Sequence, residues 1–436
     1  MKILMFGWEF PPHITGGLGT ACFGLSQSLA SLVERLVFVL PRVKGDTRSG
    51  AVEVLGACDL RHSGAAESKP VSHLLATALP FDLEIVDSAL RPYQSNTEYL
   101  RHLRQLKVSK QQKIDGDAGA FSSLGSVLEI SGDYGENLLD EVKRYAEMAS
   151  RAVLREPFNV IHAHDWMTFL AGVRAKEMSG LPLVVHVHAT EFDRCGDQID
   201  QRIYEIERSG MERADRIVAV SQRTKDMIVT RYGIAADKIV VVHNGVAARQ
   251  NEAPHRVRND GEKVVVFLGR ITMQKGPEYF LEAAYLVAQK EPKVRFVMAG
   301  SGDMLPQMIE RMAELGILDR FHFTGFLNQQ RRDELFAQAD LFVLSSVSEP
   351  FGITPVEAMQ HDIPVIVTKQ SGVAEVVNAA IKVDFWDVRR MADAMINILK
   401  YPQLAREMAL GGQRDLKSLT WDRAAAQIKN IYQELG

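Results

Sequence analysis

The chain has 436 residues, 46% of them hydrophobic and 24% charged, with a formal charge of −4. That length exceeds one ordinary hydrophobic core, so a folded, soluble protein of two domains is expected. The acidic balance gives no electrostatic reason to expect nucleic acid as a partner. Cys22, Cys58 and Cys195 are few and widely spaced, which suits a reducing cytoplasm and makes no metal-ligand pattern.

The opening MKILMFGWEF is too short an apolar run for a secretory leader, and Glu9 interrupts it. No stretch approaches the length of a membrane span, so no stable membrane insertion is expected. Lys2 to Gly7 reads as a buried strand, followed by the loop WEFPPHITGGLGT. Leu25, Leu29 and Leu32 then give a helical spacing over Ala21 to Leu32. Strand patterns follow at Leu36, Asn159, Leu181, Arg216 and Lys238, with helical patterns over Trp166 to Met178 and Ser221 to Arg231. Continuous Val/Ile/Leu strands alternating with helices predict a parallel sheet covered on both faces.

Gly245 to Lys263 is polar and aperiodic, and reads as a linker. The alternation restarts beyond it with KVVVFLG, RFVMAG, FHFTG, LFVLS, IPVIV and IKVD. The predicted domains are 1–247, with a helix over 420–436 belonging to it, and 248–419. Trp421, Ala424, Ala425, Ile428, Ile431, Tyr432 and Leu435 form one stripe of that last helix, with Thr420 as its N-cap. The segment 99–113 is locally basic; it reads as a solvated helix face or as a surface for an acceptor or an anionic membrane.

Ligands of open α/β sheets bind at the carboxyl ends of strands, and four such loops carry unusual residues. TGGLGT (Thr15 to Thr20) has three glycines before a helix, which let backbone N–H groups approach an anion or a sugar. HAHDW places His162 and His164 on one strand face, and VHVHATEFD does the same for His186 and His188. Either pair suits a metal, which raises a metal-dependent hydrolase as a rival, but no further His or carboxylate cluster completes a two-metal set. Some of these histidines are therefore read as buried and hydrogen-bonded, with strand-end His188 meeting a ligand. Asp115 and Asp117 lie in a Gly/Ser-rich stretch and read as a turn.

The third loop follows VVVFLG: Arg270 comes just after the strand, and Lys275 precedes Gly276-Pro277, a helix start. Two cations and a helix N-terminus at one strand end suit a diphosphate. The fourth is SEPFGITPVEAM, with Glu349 before a Pro-Phe-Gly turn and Glu357 inside the next helix. Acids beside a phosphate site need a reason, and sugar hydroxyls supply one.

These strings resemble the retaining glycosyltransferases of group 1 (family 4) and the related starch and glycogen synthases. The resemblance runs through EFPPHITGGLGT, HAHDW, HVHATEFD, VVHNGV, GRITMQKG and SEPFGITPVEAM, and so through nearly the whole chain. It implies an α/β architecture of the GT-B type, two facing Rossmann-like domains with a central cleft between them. It implies that Arg270 and Lys275 neutralise a nucleotide diphosphate, that Glu349 holds donor-sugar hydroxyls, and that Glu357 binds the ribose. Phe351, Gly352, Ile353 and Thr354 would touch sugar and phosphate through their backbone, His188 would sit by the reacting carbon, and Gly16, Gly17 and Leu18 would close over the donor. No cofactor and no metal is implied, because the basic pair takes the metal's place.

Two departures from the ADP-glucose synthases favour group 1: Ile14 stands where those enzymes carry Lys, and they generally lack an acid like Glu357. The segment from Pro41 to Ser150 and the EFPP…TGGLGT opening look more like the synthases. The expectation is a cytoplasmic hexosyltransferase that moves glucose from ADP- or UDP-glucose to an α-1,4-glucan. A transferase with a lipid, small-sugar or polysaccharide acceptor is the alternative, as is a sugar-nucleotide epimerase. Since the glycine loop and the Arg270–Lys275 pair fall in different halves, an open cleft is expected in the unliganded chain, with hinges in 245–263 and before Thr420.

Overall fold

The computed structural model describes residues 1–11, 16–42, 48–49, 51–57, 60, 137–247 and 261–436. The basic segment 99–113, the acids Asp115 and Asp117, and most of the linker lie outside the described residues.

The first half holds eight strands: β1 (Lys2–Phe6), β2 (Arg35–Leu40), β3 (Arg48–Ser49), β4 (Val52–Gly56), β5 (Val160–His164), β6 (Leu183–Val187), β7 (Arg216–Ala219) and β8 (Ile239–Val241). They form one sheet in the order β3-β4-β2-β1-β5-β6-β7-β8. Every pairing is parallel except β3 with β4. Both faces are covered, as continuous apolar strands require. One face packs on the helices Leu138–Ala149 and Trp166–Ser179, and the other on the helix Gly17–Ala30. Short β4, next to the edge and with alternating burial, is a strand that the sequence pattern did not announce.

The second half repeats the design with β9 (Lys263–Leu268), β10 (Val294–Ala299), β11 (Phe321–Gly325), β12 (Leu341–Leu344), β13 (Val365–Thr368) and β14 (Ile381–Val383). Its sheet is parallel, in the order β11-β10-β9-β12-β13-β14. In each sheet the chain works outward in one direction and then returns to the middle. That makes a topological switch point between β1 and β5 and another between β9 and β12, and in such sheets the crevice at the switch point is where ligands lie.

The last helix, Trp421–Leu435, crosses back and joins the apolar cluster of the first sheet. The Thr420 side chain accepts from the Arg423 N–H at its start. Trp421 lies flat enough on the helix Gly17–Ala30 that a Cβ at Gly24 would enter its indole. The chain leaves the first half at Val246 and returns at Thr420, and these two residues pair as a parallel bridge. The Val246 N–H donates to the Leu419 carbonyl at 3.0 Å. Both crossings between the halves are thus side by side.

Candidate active site

The floor of the site is built at the β9/β12 switch point. Arg270 and Lys275 leave the end of β9, and Glu349 leaves the end of β12. Lys275 Nζ meets Glu349 Oε2 at 2.5 Å. Ser346 Oγ donates to the same carboxylate oxygen at 3.1 Å. The Glu349 side chain is only 10% exposed and that of Lys275 18%, so the pair works in a poorly solvated crevice where charge is felt strongly.

The two loops are stitched together. Ser345 Oγ donates to the carbonyls of Lys275 (3.1 Å) and Gly276 (2.9 Å). The Val347 N–H donates to the Gln274 carbonyl at 2.9 Å. Arg270 Nη2 donates to Gln274 Oε1 at 2.9 Å, which holds the guanidinium over this floor. Gly276 is left-handed (φ 59°) and its Cα faces the Ser345 carbonyl, so only glycine permits the turn and the close approach. A loop that sequence reasoning passed over also packs here. Gly300 (φ 133°) and Gly302 lie against the backbone of Gly269 and Ile271, where no Cβ fits. The AGSG string after β10 was the available signal.

Phe351 is buried, Gly352 is left-handed (φ 99°), and Ile353 and Thr354 open the helix Ile353–Met359. Glu357, inside that helix, does not reach Lys275. Its Oε1 pairs with Arg332 Nη1 at 3.3 Å, and its Oε2 is buried without a protein hydrogen bond. Burial raises its pKa, which the Arg332 guanidinium partly opposes. A buried carboxylate oxygen with no protein partner is an acceptor prepared for a hydroxyl.

The first half brings its own switch point. Gly16 is the extended N-cap of the helix Gly17–Ala30, so Gly17 and Leu18 lie in its first turn, four residues earlier than the Leu spacing suggested. The cause is Glu9, which sequence reasoning noted only as a break in an apolar run. Its buried carboxylate accepts the Gly19 N–H at 3.1 Å, and a Cβ at Gly16 would stand 2.8 Å from it. Leu18 of the first half and Ile353 of the second pack on the same apolar cluster, which joins the glycine turn to the loop after Glu349.

Next to them stands a ladder of four imidazoles. His162 stacks on His164 (4.4 Å, 15°) and His186 on His188 (4.2 Å, 20°). His164 Nδ1 and His188 Nε2 share a hydrogen bond of 3.0 Å, and His162 Nδ1 bonds the Tyr432 hydroxyl of the last helix. Burial drives His162 and His188 down to about 3, with His164 and His186 also well below the usual range, so all four are neutral at pH 7. Asp165 places His188: its Oδ1 accepts the N–H groups of His188 (2.6 Å) and Ala189 (3.3 Å). It does so from a left-handed backbone (φ 58°), a conformation costing on the order of 1–3 kcal/mol that persists only where surroundings enforce it. Burial raises its pKa to about 7, against the pull of Arg194.

The TEFDR string completes the wall. Arg194 binds Glu191 (2.9 Å) and Glu207 (2.5 Å), while Tyr232 donates to Glu207. Asp193 then reaches the other half: Ser348 Oγ donates to Asp193 Oδ1 at 2.7 Å, and Arg223 Nη2 donates to Ser348 Oγ at 3.1 Å. Glu375 of the second half accepts the Gln222 and Arg223 N–H groups (2.8 and 2.7 Å) at the start of the helix Gln222–Tyr232. The halves therefore meet along this edge, next to Glu349, where the sequence suggested open separation. Carboxylates and hydroxyls on each side find donors on the other, and that offsets the water they lose. A groove of about 570 Å³ beside this edge is lined by Arg223, Arg231, Lys369, Lys382 and Glu375 among others; none of Arg270, Lys275, Glu349 or Glu357 lines it.

Two half-sites, one carrying paired cations and acids and the other glycines and a histidine, are thus brought together by a fold of two mainly parallel α/β sheets. The group 1 glycosyl transferase family matches residues 248–415, glycosyltransferase family 4 matches residues 135–250, and the starch synthase catalytic domain matches residues 2–104. Taken together, these matches make the chain similar to the group 1 and family 4 glycosyltransferases, with an opening similar to that of the starch synthases. It is similar to an uncharacterized glycosyltransferase of Methanocaldococcus jannaschii, 28% identical over 99% of this chain and 98% of the relative. It is also similar to a glycogen synthase of Mycobacterium tuberculosis, 24% identical over 99% of this chain and 94% of the relative. Among solved structures the fold is shared with a sucrose-phosphate synthase from Thermosynechococcus elongatus: TM-score 0.71, 16% identity, with 100% of this chain and 98% of that one covered.

Proposed function

We propose that the chain transfers glucose from a nucleotide diphosphate glucose, ADP- or UDP-glucose, to the end of an α-1,4-glucan, with retention at the anomeric carbon. The observation that carries this reading is the Lys275–Glu349 contact. It sets a cation suited to a diphosphate against an acid suited to sugar hydroxyls. In the transfer, the bond from C1 to the diphosphate breaks, a bond from C1 to the acceptor oxygen forms, and the acceptor proton leaves with the nucleotide. Arg270 and Lys275 meet the charge that builds on the departing diphosphate, where stabilisation is worth most. Glu349 holds sugar hydroxyls rather than attacking C1, and the backbone of Phe351–Thr354 lies against sugar and phosphate. The free Oε2 of Glu357 accepts from the ribose. His188, neutral and held by Asp165, faces the sugar from the other half, while Gly16, Gly17 and Leu18 cover it.

The glucan acceptor is supported by the end-to-end similarity to a glycogen synthase. A panel of ADP-, UDP- and GDP-sugars, assayed for nucleotide diphosphate release with and without glucan, tests the reading. Release that depends on ADP- or UDP-glucose and rises with glucan supports it. Release that glucan leaves unchanged but a lipid or small sugar accelerates overturns the acceptor. A new epimer of the donor without transfer overturns the class of reaction.

A further inference from the structure

The histidine ladder has a third ligand that no sequence spacing reveals. Cys22, on the buried face of the helix Gly17–Ala30, comes up to the end of β5 beside His164 and His188. Its Sγ and one nitrogen from each ring all lie within 4.8 Å of one another. We propose that Cys22, His164 and His188 form a binding site for a thiophilic divalent cation such as Zn²⁺, placed so that an occupied site withdraws His188 from the donor sugar.

Four observations carry it. His164 Nδ1 and His188 Nε2 already stand 3.0 Å apart. Two nitrogens on one tetrahedral zinc are about 3.3 Å apart, so the pair needs only a few tenths of an ångström of opening. The remaining nitrogens, His164 Nε2 and His188 Nδ1, are buried and make no protein hydrogen bond. Each is therefore free to carry its ring's proton while the inner nitrogens bind metal.

The surroundings are also acidic: burial raises the pKa of the Cys22 thiol, and the buried carboxyl groups of Asp165 and Glu9 lie close enough to raise it further. A dication relieves that field. Binding then replaces the S–H bond by an S–metal bond and releases one proton to water. Finally, His188 is partly exposed while Cys22 and His164 are enclosed, which leaves an approach, and a fourth coordination position, on the His188 side.

The deeper trio of His162, His164 and His186 is a poorer site. All three of its rings are buried, so no approach or open coordination position reaches them, and His162 Nδ1 is already engaged by the Tyr432 hydroxyl. Cation binding is independent of the transferase reading; only the loss of turnover rests on His188 serving the donor.

The test uses the chelator-stripped full chain titrated with Co²⁺, whose bond to a thiolate gives a charge-transfer absorption that nitrogen and oxygen ligands do not. One equivalent of Co²⁺ should produce that band, and Zn²⁺ should displace it. Cys22→Ser should abolish the band and weaken Zn²⁺ binding at least about tenfold, whereas Cys195→Ser should keep both. Zn²⁺ should inhibit nucleotide release by the wild type, reversibly with chelator, and spare Cys22→Ser. Absence of a thiolate band in the wild type overturns the site whether or not any variant folds. A band that survives Cys22→Ser overturns the ligand assignment. A band without inhibition keeps the site and overturns the role given to His188.

Discussion

Removing the Lys275 ammonium exposes how much of the site one ion pair supports. Lys275→Ala leaves Glu349 with Ser346 as its described side-chain partner, in a crevice where the acid is 10% exposed. Exposed ion pairs are worth about 0–1 kcal/mol, and breaking a fully buried one costs about 3–5 kcal/mol. This pair lies between those limits, nearer the buried one, so a stability loss of roughly 2–3 kcal/mol is expected. The catalytic loss is separate. A cation that meets charge developing on the leaving diphosphate acts mainly in the transition state, and losing one such contact lowers turnover by about ten- to a thousandfold. Urea unfolding reads the first number, and steady-state nucleotide diphosphate release reads the second. Lys275→Ala/Glu349→Gln should recover much of the stability, because no buried charge is left unpaired, and none of the turnover. A folded Lys275→Ala protein that turns over at the wild-type rate would refute the assignment of Lys275 to the diphosphate.

Glu357→Gln should raise the donor KM with little change in kcat, since a ribose contact is made equally in ground and transition states; unchanged KM with collapsed turnover would contradict the ribose role. Asp165→Ala frees the N–H groups of His188 and Ala189 and should lower kcat while the chain stays folded, as read by circular dichroism beside the kinetics; an unaltered kcat would remove Asp165 as the residue that positions His188. Acid should unfold the protein early. The four ladder histidines bind protons readily only when unfolded, so their contribution to stability is full above about pH 6.5 and is lost as pH falls from there toward about 3. Asp165 and Glu207, both raised to about 7, act oppositely over pH 7 to 4, as do the raised Glu278 and Glu357, while the lowered Asp200 and Glu375 act with the histidines, so the loss is only partly offset. At up to about 1.4 kcal/mol per pH unit for each group, the urea midpoint should drop clearly between pH 7 and pH 5; a flat or rising midpoint would contradict the buried, neutral ladder.

Much of this architecture was legible because buried parallel strands write themselves as unbroken apolar runs. Lys2 to Phe6, Val160 to His164 and Leu341 to Leu344 are all fully or almost fully buried, and each ends at a loop that carries polar chemistry. Arg270, Lys275 and Glu349 stood out for the same reason: charges directly after a buried strand have few structural uses. What escaped depends on contacts between distant parts of the chain. Glu9 looked like an interruption, yet it is the acceptor that lets a helix begin among glycines at position 17. Cys22 lies 142 and 166 positions from its neighbours His164 and His188, so no local spacing joins them. The Asp193–Ser348 bond likewise ties the short helix Glu191–Cys195 after β6 to the loop after β12. Such links belong to topology, and a periodicity argument has no access to them.

The central claim is glucosyl transfer with retention from a nucleotide sugar to a glucan, and one measurement meets it directly. Proton magnetic resonance can follow the purified chain acting on α-linked ADP- or UDP-glucose and a short maltooligosaccharide. The account predicts a new α-glycosidic anomeric signal that grows in step with free nucleotide diphosphate and vanishes for Lys275→Ala. A β-glycosidic product, or an oligosaccharide left unextended while the donor is consumed, would contradict it.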